Sequence, residues 1–85
     1  MRVVSFTPTS WADFTSIVLR DKAMSKRIIS LIKDILREPF AGIGKPEALR
    51  YELQGYWSRR IDEKNRLVYA VDEERIVIIQ CSEHY

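Results

Sequence analysis

The sequence predicts an α+β fold in which an N-terminal strand and a two-helix hairpin pack on one face of a mostly antiparallel sheet. Apolar residues recur at helical spacing through most of the first half of the chain, which predicts helices there. Short runs rich in β-branched and aromatic residues fill the second half, with turn residues between them. Helices followed by consecutive strands are typical of the α+β class. At 85 residues, the chain is expected to form a single domain over residues 1–85.

The N-terminal strand is predicted over residues 1–6, where β-forming residues are concentrated. Pro8 is expected to end this strand. The first helix is then expected to begin near Ser10, because Ser10 and Asp13 have the spacing of a capping box. Its apolar residues have helical spacing and predict a helix of about ten residues: Trp11, Phe14, Ile17 and Val18.

The second helix has the clearest pattern in the sequence, with charged residues on one face and apolar residues on the other. The apolar face consists of Met24, Ile28, Leu31, Ile32, Ile35 and Leu36. Residues 20–22 interrupt the apolar pattern and predict a tight connection between the two helices. Pro39 is expected to end the second helix. The helical hairpin so formed needs a partner surface for its apolar side.

Residues 39–46 are the main irregular segment and contain two of the three prolines and two of the three glycines. Functional residues often lie on such loops. Three strands are predicted after the loop, over residues 56–61, 67–71 and 76–81. The segments between them, 62–65 and 72–75, resemble hairpin turns, so these strands should form an antiparallel meander. The second and third are almost continuously apolar, which predicts positions near the sheet centre.

Composition excludes several classes of function. The net charge of +2 is too small to indicate nucleic-acid binding by itself. One histidine and one cysteine, Cys81, cannot form a conventional zinc site, and no acidic cluster has the spacing of a metal loop. Gly42 and Gly44 lack the spacing of a nucleotide-binding fingerprint. We therefore expect neither a metal nor another cofactor.

The sequence also predicts a cytoplasmic protein that does not enter a membrane. No apolar run approaches the roughly 18–20 residues that cross a bilayer. No basic segment followed by an apolar one marks a signal peptide at the N-terminus. A single cysteine cannot build a disulfide framework, which favours a reducing compartment.

A small set of polar residues remains as candidates for chemistry: Glu47, Arg59, Arg60, Arg66, His84 and Tyr85. Strand alternation places Trp57 and Arg59 on one face of the sheet and Arg60 on the other. One arginine must then share a face with large apolar groups, either reaching the sheet edge or facing an anion. His84 is the only side chain with an ordinary pKa near neutrality, so it is either a proton donor or a terminal residue without a role. Glu47, which follows Pro46 at the end of the loop, is either a functional residue or a solvated loop carboxylate.

Three segments and the last two residues together resemble the YoeB/Txe family of bacterial type II toxins, within the RelE superfamily. The segments are residues 39–47, 55–61 and 65–69, and the last two residues are His84 and Tyr85. The resemblance covers almost the whole chain and implies a RelE-like, microbial-ribonuclease-like fold. It also implies a metal-independent endoribonuclease that cleaves messenger RNA on the ribosome at the codon in the A site.

Residue by residue, the resemblance assigns the general base to Glu47, the transition-state arginine to Arg66 and the general acid to His84. Tyr85 is the aromatic residue beside the acid. The resemblance further implies basic or aromatic positions near the RNA path at Lys45, Trp57, Arg59 and Arg60.

The partners that the resemblance implies are a YefM-type antitoxin, the ribosome and messenger RNA. Operator DNA would be bound only through the antitoxin, and a homodimer is consistent with the family.

Two other functions are also considered: a ParE-like toxin that poisons a topoisomerase without catalysis, and a small RNA-binding module on the ribosome. The set Glu47, Arg66, His84 and Tyr85 favours the nuclease, because neither alternative requires a base and an acid.

Overall fold

The computed structural model describes residues 1–82 and has the expected α+β architecture. Its elements in chain order are β1 (Val3–Phe6), α1 (Pro8–Arg20), α2 (Lys22–Arg37), β2 (Glu47–Ala48), a 3-10 helix (Tyr51–Leu53), β3 (Tyr56–Arg60), β4 (Arg66–Val71) and β5 (Arg75–Gln80). The five strands form one sheet in the order β1-β5-β4-β3-β2. Only the β1–β5 pair is parallel among these strands. The N-terminal strand, the helical hairpin, the antiparallel meander and the central positions of β4 and β5 are confirmed, whereas β2 and the 3-10 helix were not predicted.

Helix α1 begins earlier than its sequence pattern predicts. Thr7 is the N-cap, and its hydroxyl accepts a hydrogen bond from the Ser10 N–H at 3.1 Å. The Ser10 hydroxyl accepts in return from the Thr7 N–H at 3.0 Å. Pro8 occupies the first helical position, where its missing N–H leaves no bond unmade. The prediction that Ser10 begins the helix was therefore wrong: Ser10 is the third residue of a 13-residue helix.

A single residue, Asp21, separates the two helices. Its N–H donates to the Ile17 carbonyl at 2.8 Å and closes α1, while its carboxylate accepts from the Met24 N–H at 3.0 Å and starts α2. The predicted connection over residues 20–22 is therefore shorter than expected. One residue serves both helix ends, with its backbone N–H at the end of α1 and its side chain at the start of α2, and so holds the hairpin tightly closed.

Both helices pack on the same face of the sheet, and the core lies between the two layers. Its buried residues come from the helices and from alternate positions of the strands: Ile17, Met24, Ile28, Leu31, Ile35, Ile61, Leu67, Tyr69, Ile76, Ile78 and Cys81. Trp57 and Arg59 point to this layer from β3. Because side chains alternate along a strand, Ser58 and Arg60 face away from the helices, and that face of the sheet carries the candidate site.

Candidate functional site

A cleft of about 310 Å³ opens where the loop after α2 meets strands β2, β3 and β4. It is lined by Lys45, Pro46, Glu47, Arg60 and Arg66. Four of these five are residues that the sequence analysis selected. Three cations and one carboxylate around one concave surface can bind an anion and place a proton acceptor beside it.

The strand register explains why these side chains meet. Glu47 lies opposite Ser58 in the β2–β3 ladder, and Arg60 lies opposite Arg66 in the β3–β4 ladder. Ser58 and Arg60 are two residues apart on one strand, so all four positions share the face away from the helices. Strand β2 is only two residues long, yet it holds Glu47 directly at the edge of the sheet.

Two arginines directly opposite each other repel, and such cross-strand pairs destabilise a sheet. Within residues 1–82, no carboxylate lies within salt-bridge distance of Arg60, Arg66 or Lys45. Glu47 likewise forms no ion pair there, and its side chain is exposed. An unneutralised concentration of positive charge in a cleft favours an anionic ligand.

The backbone on both sides of the cleft is fixed by hydrogen bonds to these arginines. The Arg60 N–H donates to the Gly44 carbonyl at 2.7 Å, and the Arg66 N–H donates to the Ser82 carbonyl at 3.0 Å. Lys45 has a φ of 51°, a left-handed conformation that is uncommon for a residue with a side chain. Such conformations cluster at functional sites and persist where the surrounding structure determines them.

Arg59 does not belong to the cleft, and here the structure corrects the sequence prediction. Its side chain is fully buried among the helix-facing residues. All five of its N–H donors are used within the protein: Nε donates to Tyr69 Oη, Nη1 to Asp34 Oδ2 and the Ile43 carbonyl, and Nη2 to the carbonyls of Glu38 and Ala41. No donor remains for a phosphate, so an RNA contact by Arg59 is not supported. The anion that it faces is Asp34.

Trp57 also lies away from the cleft. It is half-buried on the helix-facing side of β3, and its ring centroid lies 5.0 Å from that of Phe40. The predicted RNA contact of Trp57 therefore finds no support in the geometry of the cleft. The predicted acid, His84, and its neighbour Tyr85 lie outside the described residues.

Asp34 is a functional candidate that sequence reasoning missed. The hydrogen bond from Arg59 is the main reason why the pKa of Asp34 falls from 3.8 to about 2. Partial burial opposes the shift, whereas the Ile43 N–H and Arg37 lower the pKa further. The available signal was the alternation of β3, which puts one arginine on the apolar face, where it either reaches the sheet edge or faces an anion. Nothing in the sequence chose between these alternatives or identified Asp34 as the anion.

Replacement of Asp34 by asparagine is expected to remove a pH-dependent contribution to stability of about 2 kcal/mol. Because the folded pKa lies below the unfolded one, this contribution is complete above about pH 5 and is lost as the pH falls toward 2. Urea unfolding at several pH values between 7 and 2 should show the gap between wild type and variant narrowing in acid. Glu73→Gln is the control, because Glu73 is exposed and its side chain has no ion pair within residues 1–82. A gap that stays constant across this range would contradict the assignment.

Three further findings concern the described part of the chain. Within residues 1–82, no group of three or more His, Cys, Asp or Glu side chains is arranged to hold a metal ion. Cys81 is buried, and burial raises the pKa of its thiol to about 12, which makes it a poor nucleophile. No helix over the same residues has the length and apolar character to cross a membrane.

Comparison with known proteins identifies the family. Residues 6–85 match the family model described as the YoeB-like toxin of bacterial type II toxin-antitoxin system. The chain is 47% identical to Toxin YoeB of Mycobacterium bovis over 85 residues, which is the full length of both chains.

Solved structures agree with the sequence comparison. A structure described as the YoeB-YefM complex from Staphylococcus aureus superposes with a TM-score of 0.91 at 42% identity, covering 100% of this chain and 99% of that one. The structure of the YoeB dimer from Staphylococcus aureus gives a TM-score of 0.92 at 44% identity, covering 99% and 98%. Full-length sequence identity and fold thus agree with the resemblance seen in the motifs, and the chain belongs to the YoeB-like toxins of bacterial type II toxin–antitoxin systems.

Proposed function

We propose that this toxin is a metal-independent endoribonuclease that cleaves translated messenger RNA at the codon in the ribosomal A site and thereby inhibits translation. The observation that carries the proposal is the cleft itself. A carboxylate without an ion-pair partner in residues 1–82 lies there beside three cations that also lack one. A general base beside a phosphate-binding surface is what metal-free RNA cleavage requires.

In the proposed reaction, Glu47 removes the proton from a ribose 2′-OH. The 2′ oxygen attacks the adjacent phosphorus, and the bond from phosphorus to the 5′ oxygen of the next nucleotide breaks. His84 gives a proton to that departing oxygen. The products are a 2′,3′-cyclic phosphate and a 5′-OH, so the reaction consumes no water, and no step in it uses a metal.

The arginines have different roles in this proposal. Arg66 faces the extra negative charge that develops on the pentavalent phosphorus, where a preorganised cation contributes most to rate. Arg60 and Lys45 bind phosphate oxygens and hold the strand in register. Tyr85 stacks on a base or holds the imidazole of His84 in place.

The assignment of the general acid to His84 rests on the resemblance to the YoeB family. The described part of the chain is consistent with it, because the Ser82 carbonyl accepts a hydrogen bond from the Arg66 N–H beside the cleft.

We further propose a YefM-type antitoxin as the neutralising partner, with operator DNA bound only through the antitoxin. The structure of the Staphylococcus aureus YoeB-YefM complex supports this partner. The Staphylococcus aureus YoeB dimer supports a homodimer for this chain as well. The ribosome and messenger RNA complete the proposed set of partners, and the proposed location of the protein is therefore the cytoplasm.

Primer extension on a translated message after brief induction of the toxin tests the proposed function. Cuts phased with the codons are expected, and they should disappear when the start codon of the same message is removed. The His84→Gln variant tests the acid, because cuts that survive this substitution would keep the nuclease and remove His84 from the mechanism. Growth arrest without cuts would contradict the nuclease and favour topoisomerase poisoning.

A further inference from the structure

We propose that Arg59, Asp34 and Tyr69, here called the Arg59 cluster, are positioning residues that hold residues 38–44 against β3 and thereby place Lys45 and Glu47 at the cleft. None of the three side chains lines the cleft. Its effect on cleavage rests on the proposed function, whereas its effect on the loop does not.

The three side chains of the cluster bind backbone groups along most of the loop. Arg59 donates to the carbonyls of residues 38, 41 and 43 at 2.7, 3.0 and 3.0 Å. Tyr69 Oη donates to the carbonyl of residue 39 at 2.7 Å, and Asp34 Oδ2 accepts from the N–H of residue 43 at 3.0 Å. A loop without regular structure thus has five backbone groups fixed by buried or partly buried side chains, in place of the ladder bonds of a strand.

The fixed loop leads directly into the cleft. The Gly44 carbonyl accepts from the Arg60 N–H at 2.7 Å, so the loop joins β3 at the residue beside Arg59. A Cβ on Gly44 would lie 2.8 Å from Leu31 Cδ2, which shows how closely the loop is packed there. Only Lys45 and Pro46 separate this point from Glu47. The orientation of the base is therefore determined within three residues of a fixed backbone position.

Adjacent positions on β3 have complementary tasks. Arg60 faces the cleft, and Arg59 faces the core and holds the loop that carries the opposite wall of the cleft. One strand thus sets the distance between the cations and the carboxylate. A small misplacement of a catalytic group lowers the rate strongly, so the effect of loosening the cluster should appear in the rate of chemistry.

Tyr69→Phe is the most informative variant, because it removes one hydroxyl and keeps the ring in the core. We expect single-turnover cleavage of a message on programmed ribosomes to slow about tenfold. The toxin concentration that gives half of the maximal rate should change less than about twofold. Amide hydrogen exchange should accelerate at Ile43 and Arg60 but not in β4 and β5.

Arg59→Lys should have a larger effect on both the cleavage rate and the hydrogen exchange, because an ammonium cannot replace the forked guanidinium. Tyr56→Phe, on the opposite face of the same sheet, is the matched control and should change neither.

Three other results would contradict the proposal. Acceleration of exchange throughout β4 and β5 would show a general loss of stability and overturn a positioning role. Unchanged exchange at Ile43 and Arg60 would overturn it too, as would faster exchange at these residues with an unchanged cleavage rate. If the wild type does not cleave the message on programmed ribosomes, the proposed function fails, and hydrogen exchange alone decides whether the cluster holds the loop.

Discussion

Replacement of Glu47 by glutamine is expected to slow cleavage of ribosome-bound messenger RNA by roughly 10²–10⁴-fold. Glutamine has nearly the shape of glutamate, but its amide cannot accept the proton of the 2′-OH. The side chain of Glu47 is exposed, and within residues 1–82 it forms no ion pair. The loss should therefore come from chemistry and not from folding.

Single-turnover cleavage of a message on programmed ribosomes, with toxin in excess, measures the chemical step for this variant. The toxin concentration that gives half of the maximal rate should change little, because the cations of the cleft remain in place. Urea unfolding should give a free energy within about 0.5 kcal/mol of the wild type, as is usual for surface substitutions.

Glu73→Gln is the matched control for the Glu47 variant. Glu73 is an exposed carboxylate in the turn between β4 and β5, outside the cleft. It should cleave at the wild-type rate. If the Glu47 variant kept the same rate as this control, the base would have to be another group and the proposed mechanism would be wrong.

Much of the fold could be predicted because its signals are local. The apolar face of α2 and the β-rich runs of β3 to β5 lie within single segments of the sequence. The observed strands β3 to β5 differ from the predicted ones by one residue, at one end for β3 and β4 and at both ends for β5. The start of α1 was misplaced because Thr7 and Ser10 are both good capping residues, and only the three-dimensional bonds show which one is the cap. Strand β2 was missed because two residues carry no periodicity and pair only through β3.

The site was predictable to a smaller extent. The resemblance selected Lys45, Glu47, Arg60 and Arg66, and the fold brings these four to one cleft. Residues 59 and 60 are both arginine, so neither residue type nor motif separates a cleft residue from a core residue. Strand alternation required one of them to face apolar groups, but its partner Asp34 is 25 residues away on a helix. Contacts between distant segments of this kind depend on tertiary packing.

Replacement of Arg66 by glutamine is expected to lower the cleavage rate by roughly 10²–10³-fold, the cost of removing one preorganised donor from a developing negative charge. Arg66→Lys should recover part of this rate, because it restores the charge but not the forked geometry. Single-turnover measurements should place the loss in the rate at saturation. Arg60→Gln, which removes a cation proposed to bind phosphate, should instead raise the toxin concentration that gives half of the maximal rate. Arg75→Gln, on the exposed end of β5, is the control and should change neither quantity.

The stability of the Arg66→Gln variant provides a second, independent test of the same idea. Arg60 and Arg66 lie opposite each other without a carboxylate partner in residues 1–82, so removing one charge relieves a repulsion. Urea unfolding should show a stability equal to the wild type or up to about 1 kcal/mol higher. Lower activity with equal or higher stability is the pattern of a residue retained for function. A clear loss of stability would instead assign Arg66 to the scaffold, and the transition-state role would then have to pass to another cation of the cleft.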